Sequence, residues 1–430
     1  MILSLEGRDI LFFLKNKQVF YILNIISYKM KENFKRKVLK NGMTVIFEKR
    51  NTPIVSVAFA VKAGAANEKS REKGIHHFLE HTLFKGTEKR TTREISEEIE
   101  KKGGVLNAFT SEEITAFFCK MPSKHLGIAL DVLSDVVKDP IFPEKEIDKE
   151  RKVIFEEIKM YKDNPVRHVF EEIQKCLYHE PFGSPILGTT NTLKFIGRKE
   201  LLEVFKKTFT PGNMVLCVVG DSNFNDIVKF AERNFNKAVG EINEIKIKEL
   251  TSSKIEKRKG VDQANIVFAY HVPLIDDEKS YAAEILNTLM AEGMSSRLFL
   301  EIREKLNLAY AIKGYSEINK KFAYNLIYSG IKKENVEEVK KLILEEFKKV
   351  SKKLTEKELK QVKEQIIGNH KISMEDSQEQ MINLISHEAN GNAETFYDFE
   401  KNILNSKLED VKEIAKKAIG SYSFFALIPE

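Results

Sequence analysis

Two histidines and a glutamate in one short stretch are the residues of this chain best suited to metal-assisted chemistry. His77, Glu80 and His81 occur in the order H-x-x-E-H. On a helix, positions i, i+3 and i+4 share one face, so two imidazoles and one carboxylate converge on a point. Two neutral imidazole nitrogens there can hold a zinc ion, while the carboxylate reaches a water on that ion. The stretch predicts half of a hydrolytic zinc site; the alternative is a buried helix whose histidines bond to backbone carbonyls.

A zinc site also needs a third protein ligand, and a charged helix predicted over residues 144 to 161 supplies candidates. Glu150 and Glu157 are two turns apart on one face, whereas Glu156 points about 100° away from it. Two carboxylates on a buried face are costly unless a cation or proton compensates them. A zinc ion held by the two histidines and one of this pair would do so. The alternative for Glu157 is a solvated surface glutamate.

The composition indicates a globular protein of more than one domain. A chain of 430 residues, 42% of them apolar, exceeds the size at which a single core keeps growing. The 70 Lys and Arg residues are spread among 64 Asp and Glu residues and form no basic block, so nucleic acid is not the expected partner. The three cysteines, Cys119, Cys176 and Cys217, lie far apart, which favours a reduced compartment and predicts a cytoplasmic location.

Mixed helix and strand signals, without regular βαβ alternation, predict the α+β class. Residues 1–36 are predicted to be a peripheral N-terminal extension, of which 1–29 would be a poorly ordered segment, an interfacial helix or a misassigned start. Its most apolar run, residues 19–26, is too short to span a bilayer, so no stable membrane insertion is expected. We predict one half over residues 37–235, a charged linker over 236–259 and a second half over 260–430.

The second half echoes the first. The motif at residues 144–147, E-K-E-I, returns at residues 356–359 as E-K-E-L, 212 positions later. The amphipathic pattern of residues 200–209 returns at 410–419, 210 positions later. Two echoes at nearly one spacing predict a duplicated unit of that length.

The second copy lacks the residues suited to chemistry. At a spacing of 212 from Glu150 and Glu157 stand Val362 and Asn369, and no second H-x-x-E-H occurs. The asymmetry indicates that the carboxylates and histidines of the first half serve chemistry and not the architecture that both halves share.

With these motifs, the chain resembles the pitrilysin family of metallopeptidases, the inverted zincins, whose motif is H-x-x-E-H followed by a distal Glu. Within that family it is most similar to the branch of mitochondrial processing peptidase and its bacterial and archaeal relatives. The resemblance covers residue 37 to the C-terminus. It implies that His77, His81 and Glu157 hold one zinc ion per chain. It also implies two homologous halves, each a mixed antiparallel sheet packed with helices, facing each other across a peptide-binding cleft.

The resemblance assigns further roles. It implies that Glu80 is the general base and that Glu150 supports the site without binding metal. Residues 103–111, G-G-V-L-N-A-F-T-S, resemble the edge strand that pairs with an extended substrate, and the residues implied to contact it are Asn107, Ala108 and Phe109.

A second element of the family lies in the other half. Residues 295–310 resemble the R-x6-Y element, in which the arginine, here Arg303, binds the substrate main chain. The tyrosine, here Tyr310, donates to the tetrahedral oxyanion. On the sequence alone, Arg303 would be a surface helix residue and Tyr310 a half-buried core tyrosine.

The resemblance predicts a zinc-dependent endopeptidase that hydrolyses peptides or unfolded polypeptide segments bound as an extended strand. Because both catalytic elements lie in one chain, a homodimer is the simplest assembly. Two alternatives remain at this point: a noncatalytic assembly or binding subunit of the same family, and a different zinc hydrolase such as an amidohydrolase.

Overall fold

The structure, a computed structural model, describes residues 31–236, 238, 240, 242, 244 and 246–430. Its strands form two sheets. In chain order they are β1 (Phe34–Val38), β2 (Thr44–Lys49), β3 (Ile54–Val61), β4 (Val105–Thr110), β5 (Thr115–Pro122), β6 (Met214–Gly220), β7 (Ser253–Arg258), β8 (Ala264–His271), β9 (Ala309–Ile318), β10 (Ala323–Ile331) and β11 (Ser423–Pro429).

Helices cover the sheets. In chain order the α-helices are α1 (Ile75–Leu83), α2 (Thr92–Glu100), α3 (Leu126–Lys138), α4 (Glu144–Asp163), α5 (Pro165–Leu177), α6 (Thr190–Leu193), α7 (Arg198–Thr208), α8 (Phe224–Asn234), α9 (Ser280–Ala291), α10 (Val336–Lys353), α11 (Glu356–Ser373), α12 (Ser377–Ala389), α13 (Phe399–Asn405) and α14 (Leu408–Gly420). A π-helical segment spans Phe299–Lys305. The predicted α+β class is confirmed.

The two sheets have the same strand order. The first runs β1-β2-β6-β3-β5-β4 and the second β7-β11-β8-β10-β9. In each sheet one neighbouring pair is parallel, β2 with β6 and β7 with β11, and the other pairs are antiparallel. Apart from the additional edge strand β1, the second sheet therefore repeats the first.

Spacing along the chain agrees with this repeat. Strand β3 begins at residue 54 and its counterpart β8 at 264, which is 210 positions later. Helix α5 begins at residue 165 and its counterpart α12 at 377, which is 212 positions later. The predicted fold of two homologous halves is confirmed.

Each half contributes one helix to the other half. Helix α5 of the first half packs Val169 and Ile173 against the second sheet. Helix α12 of the second half packs Leu384 and Ile385 against the first sheet. Because both helices are buried on a sheet that the other half supplies, the two halves interlock.

Parts of the chain differ from the expected boundaries. Residues 253–258, which fall in the predicted charged linker 236–259, form strand β7. This strand lies at a sheet edge with most of its side chains exposed, so its alternating Lys and Glu residues look like a solvated linker in the sequence. Residues 34–36 of the predicted extension belong to β1. The predicted peripheral segment, residues 1–29, lies outside the described residues. Among the helices that the structure describes, none has the length and apolar character needed to cross a membrane.

Candidate metal centre

Helix α1 carries the H-x-x-E-H residues and begins at a close contact between two loops. Its N-cap, Gly74, has φ +92, and a Cβ there would lie 2.6 Å from the carbonyl oxygen of Leu187. Only glycine suits both that conformation and that contact. The buried carboxylate of Glu68 accepts hydrogen bonds from the backbone N–H groups of Gly74 and His76, each at 2.9 Å. Glu68 therefore supplies the anionic cap that the glycine cannot.

The structure brings His77, His81 and Glu157 together. One carboxylate oxygen of Glu157 lies 3.7 Å from His77 Nε2 and 3.6 Å from His81 Nε2. The three possible ligand atoms all lie within 4.8 Å of one another. Helix α1 presents both imidazoles and helix α4 presents the carboxylate, so the centre forms where these two helices pack together.

The three side chains fit a zinc ion. Ligands arranged tetrahedrally at about 2.1 Å from zinc lie about 3.4 Å apart, close to the 3.7 and 3.6 Å that separate the Glu157 oxygen from the two imidazole nitrogens. Those separations are also too long for direct hydrogen bonds, so the carboxylate and the imidazoles do not satisfy one another. Two imidazole nitrogens and one carboxylate oxygen are the donor set typical of catalytic zinc with an open fourth position.

Glu150 and Glu157, the two carboxylates of the predicted pair, contact different groups. Glu150 is buried; one oxygen lies 3.1 Å from His81 Nδ1 and the other 2.8 Å from the ammonium of Lys85. Its contact with Nδ1 leaves the Nε2 atom of His81 facing Glu157, as expected of a carboxylate that orients a metal-binding histidine. Glu156 is exposed and pairs with Lys159 on the outer surface of α4.

Burial and neighbouring charges set the protonation of the cluster. Burial, together with the neighbouring His81, lowers the pKa of His77 to about 4, so that imidazole is neutral at pH 7. Burial opposes the charged form of His81, but the carboxylates of Glu157 and Glu150 outweigh it and raise the pKa of His81. Contact with His81 is the main reason why the pKa of Glu157 is lowered. A neutral imidazole and an ionised carboxylate are the forms that bind metal.

Glu80 lies on the same helix face as the two histidines. Its carboxylate accepts a hydrogen bond of 2.6 Å from the Thr110 hydroxyl at the end of β4. Burial raises the pKa of Glu80. A half-buried, oriented carboxylate of raised pKa is suited to accepting a proton. Thr110 was not singled out from the sequence, although its position within the predicted substrate segment 103–111, directly after Phe109, was the available signal.

A cleft of about 510 Å³ opens beside His77 and Glu80. Two predicted substrate residues, Ala108 and Phe109, line it from β4, which is an edge strand of the first sheet. Asn107 is exposed on that strand, and its side-chain oxygen accepts a hydrogen bond from the backbone of Ala108. Residues missed by the sequence reasoning complete the cleft: Tyr161, Arg167, Phe170, Glu171, Gln174, Pro185, Ile186 and Leu187.

Arg303 and Tyr310 are not among the residues that line this cleft in the described structure. The Arg303 guanidinium stacks on the ring of Phe299 at 4.6 Å. Tyr310 is the additional residue of a β-bulge in β9, and its ring covers Gly330 of β10 so closely that a Cβ on that glycine would overlap it. Bulges re-aim side chains next to active sites, and glycine leaves the room that this ring needs.

Each half of the chain matches a protein-family model. A family model described as Insulinase (Peptidase family M16) matches residues 44–190. A second, described as Peptidase M16 inactive domain, matches residues 196–366. The two models divide the chain as the fold does, with the H-x-x-E-H helix and Glu157 in the first.

Relatives with similar sequences carry zinc-protease names. An uncharacterized zinc protease of Rickettsia felis is 33% identical over 409 residues, which covers 93% of this chain and 98% of that protein. One of Bacillus subtilis is also 33% identical, over 81% of this chain and 86% of the relative.

Solved structures share the fold. A protease from Helicobacter pylori superposes with a TM-score of 0.84 at 24% identity, covering 92% of this chain and 99% of that one. A peptidase M16 inactive domain from Pseudomonas fluorescens also has a TM-score of 0.84, at 19% identity, with 93% and 98% covered. From the family models and the relatives that match along nearly its whole length, the chain belongs to peptidase family M16, the pitrilysin family.

Proposed function

We propose that this protein is a zinc-dependent endopeptidase that hydrolyses peptides or unfolded polypeptide segments bound as an extended strand. The proposal rests on one observation above all: the ligand atoms of His77, His81 and Glu157 converge beside Glu80 at the wall of an open cleft. The zinc-protease names of the relatives support it.

In this proposal His77, His81 and Glu157 hold one zinc ion, and Glu150 fixes the orientation of His81 through Nδ1. When bound, zinc supplies a water whose pKa is lowered, to about 7 in catalytic sites, and polarises the scissile carbonyl. Glu80 accepts the water proton and later passes it to the leaving amine. The Thr110 hydroxyl holds the Glu80 carboxylate in one orientation during this transfer.

The edge strand β4 suits an extended substrate. Its outer backbone groups have no strand partner among the described residues, so a peptide can add to the sheet there. Such pairing recognises backbone, with Asn107, Ala108 and Phe109 as the contacting residues. We further propose that Arg303 binds the substrate main chain and that Tyr310 donates to the oxyanion, which requires the second half to approach the scissile bond.

The test is cleavage of an internally quenched peptide by the purified chain, together with metal analysis. We expect about one zinc per chain, cleavage that a chelator abolishes, and recovery when zinc is added back. A folded protein serves as the control substrate and should resist cleavage. A chain that binds no zinc and cleaves neither peptides nor unfolded protein would instead be the noncatalytic assembly subunit.

We propose that the protein is a homodimer, since no other subunit is needed to supply a catalytic element. Light scattering that gives the mass of a single chain at micromolar concentration would contradict this. We also propose a cytoplasmic location, which cell fractionation tests.

A further inference from the structure

Helix α5 packs on the second sheet with one face and lines the cleft with another. One face packs into the apolar cluster on the second sheet, as described above. The other follows the spacing i, i+3, i+4 and i+7 and lines the cleft, so its side chains are presented together. These side chains are Arg167, Phe170, Glu171 and Gln174. The wall of the cleft formed by α5 thus carries charged groups as well as an apolar ring.

Arg167 is held in place without a carboxylate partner. Its guanidinium stacks on the ring of Tyr161 at 4.3 Å, and its backbone N–H donates to the N-cap side chain of Asn164. No carboxylate lies within 4.0 Å of this guanidinium among the residues that the structure describes, even though Glu171 stands one turn further along the same face. Its planar set of N–H donors is therefore available to a ligand in the cleft.

The guanidinium also lies near the metal centre. Tyr161 stands four residues beyond Glu157 on α4, which puts both side chains on one face of that helix, and both line the cleft. Arg167 stacks on that tyrosine and lines the same cleft as Glu157. An extended peptide advances about 3.3 Å per residue, so side chains within about three positions of the scissile bond can reach this place.

On the basis of the proposed peptidase function, we propose that Arg167 is a specificity-determining residue that binds a substrate carboxylate within a few positions of the scissile bond. Arginine is the side chain best suited to this task, because its fork of donors matches the two oxygens of a carboxylate. The carboxylate can come from an Asp or Glu side chain or from the C-terminus of a short peptide.

Glu171 does not cancel this preference. Burial raises the pKa of Glu171 to about 7, so this carboxyl group gives up its proton less readily at neutral pH than an exposed glutamate does. The nearby Lys175 favours the ionised form, yet burial dominates. The positive charge of Arg167 therefore remains the fixed charge on this wall.

The experiment compares quenched peptides of one length that carry Glu, Gln or Lys at successive positions on either side of the scissile bond. One series has an amidated C-terminus and a second has a free C-terminus. We expect kcat/KM to favour the Glu peptide over the Gln peptide by about 10-fold or more at one position, or the free acid over the amide by a similar factor. The first result identifies a side chain as the source of the carboxylate, and the second identifies the chain end.

Substitutions then assign the preference to Arg167. In Arg167→Gln the ratio of kcat/KM values for Glu and Gln peptides, or for free acid and amide, should fall to about 2 or less. In Arg167→Glu the preference should reverse, so that kcat/KM is higher for the Lys peptide than for the Glu peptide. Arg93→Gln, on the outer surface of α2, is the matched control and should keep the wild-type ratio. Zinc content is measured for each variant.

Two results would overturn the inference alone. The first is a wild-type enzyme that discriminates neither Glu from Gln peptides nor free-acid from amidated peptides, and the second is an Arg167→Gln variant that keeps the wild-type ratio. An equal loss of kcat/KM on every peptide, with the ratio unchanged, would assign Arg167 to positioning Tyr161 and Glu157. Failure of the zinc-loaded wild-type chain to cleave any peptide would overturn the proposed function, and this inference with it.

Discussion

The two halves of this molecule share one architecture but differ in what their corresponding helices carry. Helices α4 and α11 are counterparts 212 positions apart, yet the positions of Glu150 and Glu157 are taken by Val362 and Asn369 in α11. Val362 is buried in the apolar core of the second half. The same helix, in the same place, thus folds with a valine where the first half has a buried glutamate. The fold does not need these carboxylates, so their presence in the first half calls for another reason.

Helices α1 and α9 show the same contrast. Helix α1 places His77 and His81 beside a carboxylate, while α9 has no histidine and is apolar along most of its length. Its one carboxyl group, Glu284, has a pKa raised to about 8 by burial, so it stays mainly protonated at pH 7. A buried carboxyl group without a cation keeps its proton, whereas Glu157 beside the two imidazoles stays ionised. The comparison predicts that metal and proton transfer belong to the first half.

Glu80→Gln should have the largest effect. The substitution preserves the shape of the side chain and both histidines but removes the group that accepts the proton, so kcat should fall by about 10²- to 10⁴-fold. Zinc content should stay near one per chain, as measured by metal analysis. Glu100→Gln, at the exposed end of α2, is the control and should retain wild-type turnover. Full activity in Glu80→Gln would mean that another group accepts the proton.

The next effect is on metal binding by the carboxylates of α4. Glu157→Gln should weaken zinc binding greatly, since it removes a charged ligand, and Glu156→Gln should leave zinc content unchanged because that side chain is exposed. Glu150→Gln should fall between them, with zinc affinity or activity lowered by about 10- to 100-fold. Metal analysis of the purified variants decides the order. Loss of zinc from Glu156→Gln, with zinc kept in Glu157→Gln, would overturn the assignment.

A smaller effect tests whether the second half takes part in the chemistry. Gly330→Ala should push the Tyr310 ring out of its place, because the new Cβ overlaps that ring. If Tyr310 donates to the oxyanion, kcat should fall by about 10-fold or more while zinc content stays constant, and Tyr310→Phe should lose about 10²-fold.

Gly368→Ala is the control for this test, because a Cβ there meets no atom within 4 Å. It lies within helix α11, where alanine is favoured over glycine. Wild-type kcat in both Gly330→Ala and Tyr310→Phe would mean that Tyr310 takes no part in the reaction and that the catalytic groups lie in the first half.

The smallest effect concerns the contact that joins the halves. Glu48 of β2 is buried and accepts hydrogen bonds from Gln380 of α12, at 2.6 Å, and from the hydroxyl of Tyr397. Tyr397→Phe removes one donor from this carboxylate and should lower the free energy of unfolding by about 1–3 kcal/mol. Urea denaturation measures the loss. Tyr315→Phe, at a half-exposed ring, should change it by less than about 0.5 kcal/mol, and an equal loss in both variants would contradict the role of the Glu48 contact.

Local patterns in the sequence were sufficient to predict much of the metal centre and the duplication of the fold. The spacing of His77, Glu80 and His81 was enough to predict a shared helix face, because the 3.6-residue period fixes which side chains converge within one helix. The same period separated Glu156 from Glu150 and Glu157. The duplication was also predictable, since helices with the same exposed and buried faces repeat the same charge pattern.

Only the tertiary structure decided which groups meet across elements. The sequence alone left Glu150 and Glu157 equivalent, because they share a face of α4. The packing of α4 on α1 distinguishes them: Glu157 faces both imidazoles, whereas Glu150 contacts His81 and Lys85. No periodic pattern records that Thr110 reaches Glu80 from another strand.

The interlocking of the halves likewise came from packing alone. Helix α5 is buried on the second sheet, although its sequence neighbours belong to the first half, and this placement turns Arg167 toward the cleft. Strand β7 was not predicted from the sequence, because an exposed edge strand needs no apolar face of its own. Periodicity within one element fixes which of its residues share a face, but which elements those faces meet depends on how the chain's apolar surfaces pack together, and that is a property of the whole fold.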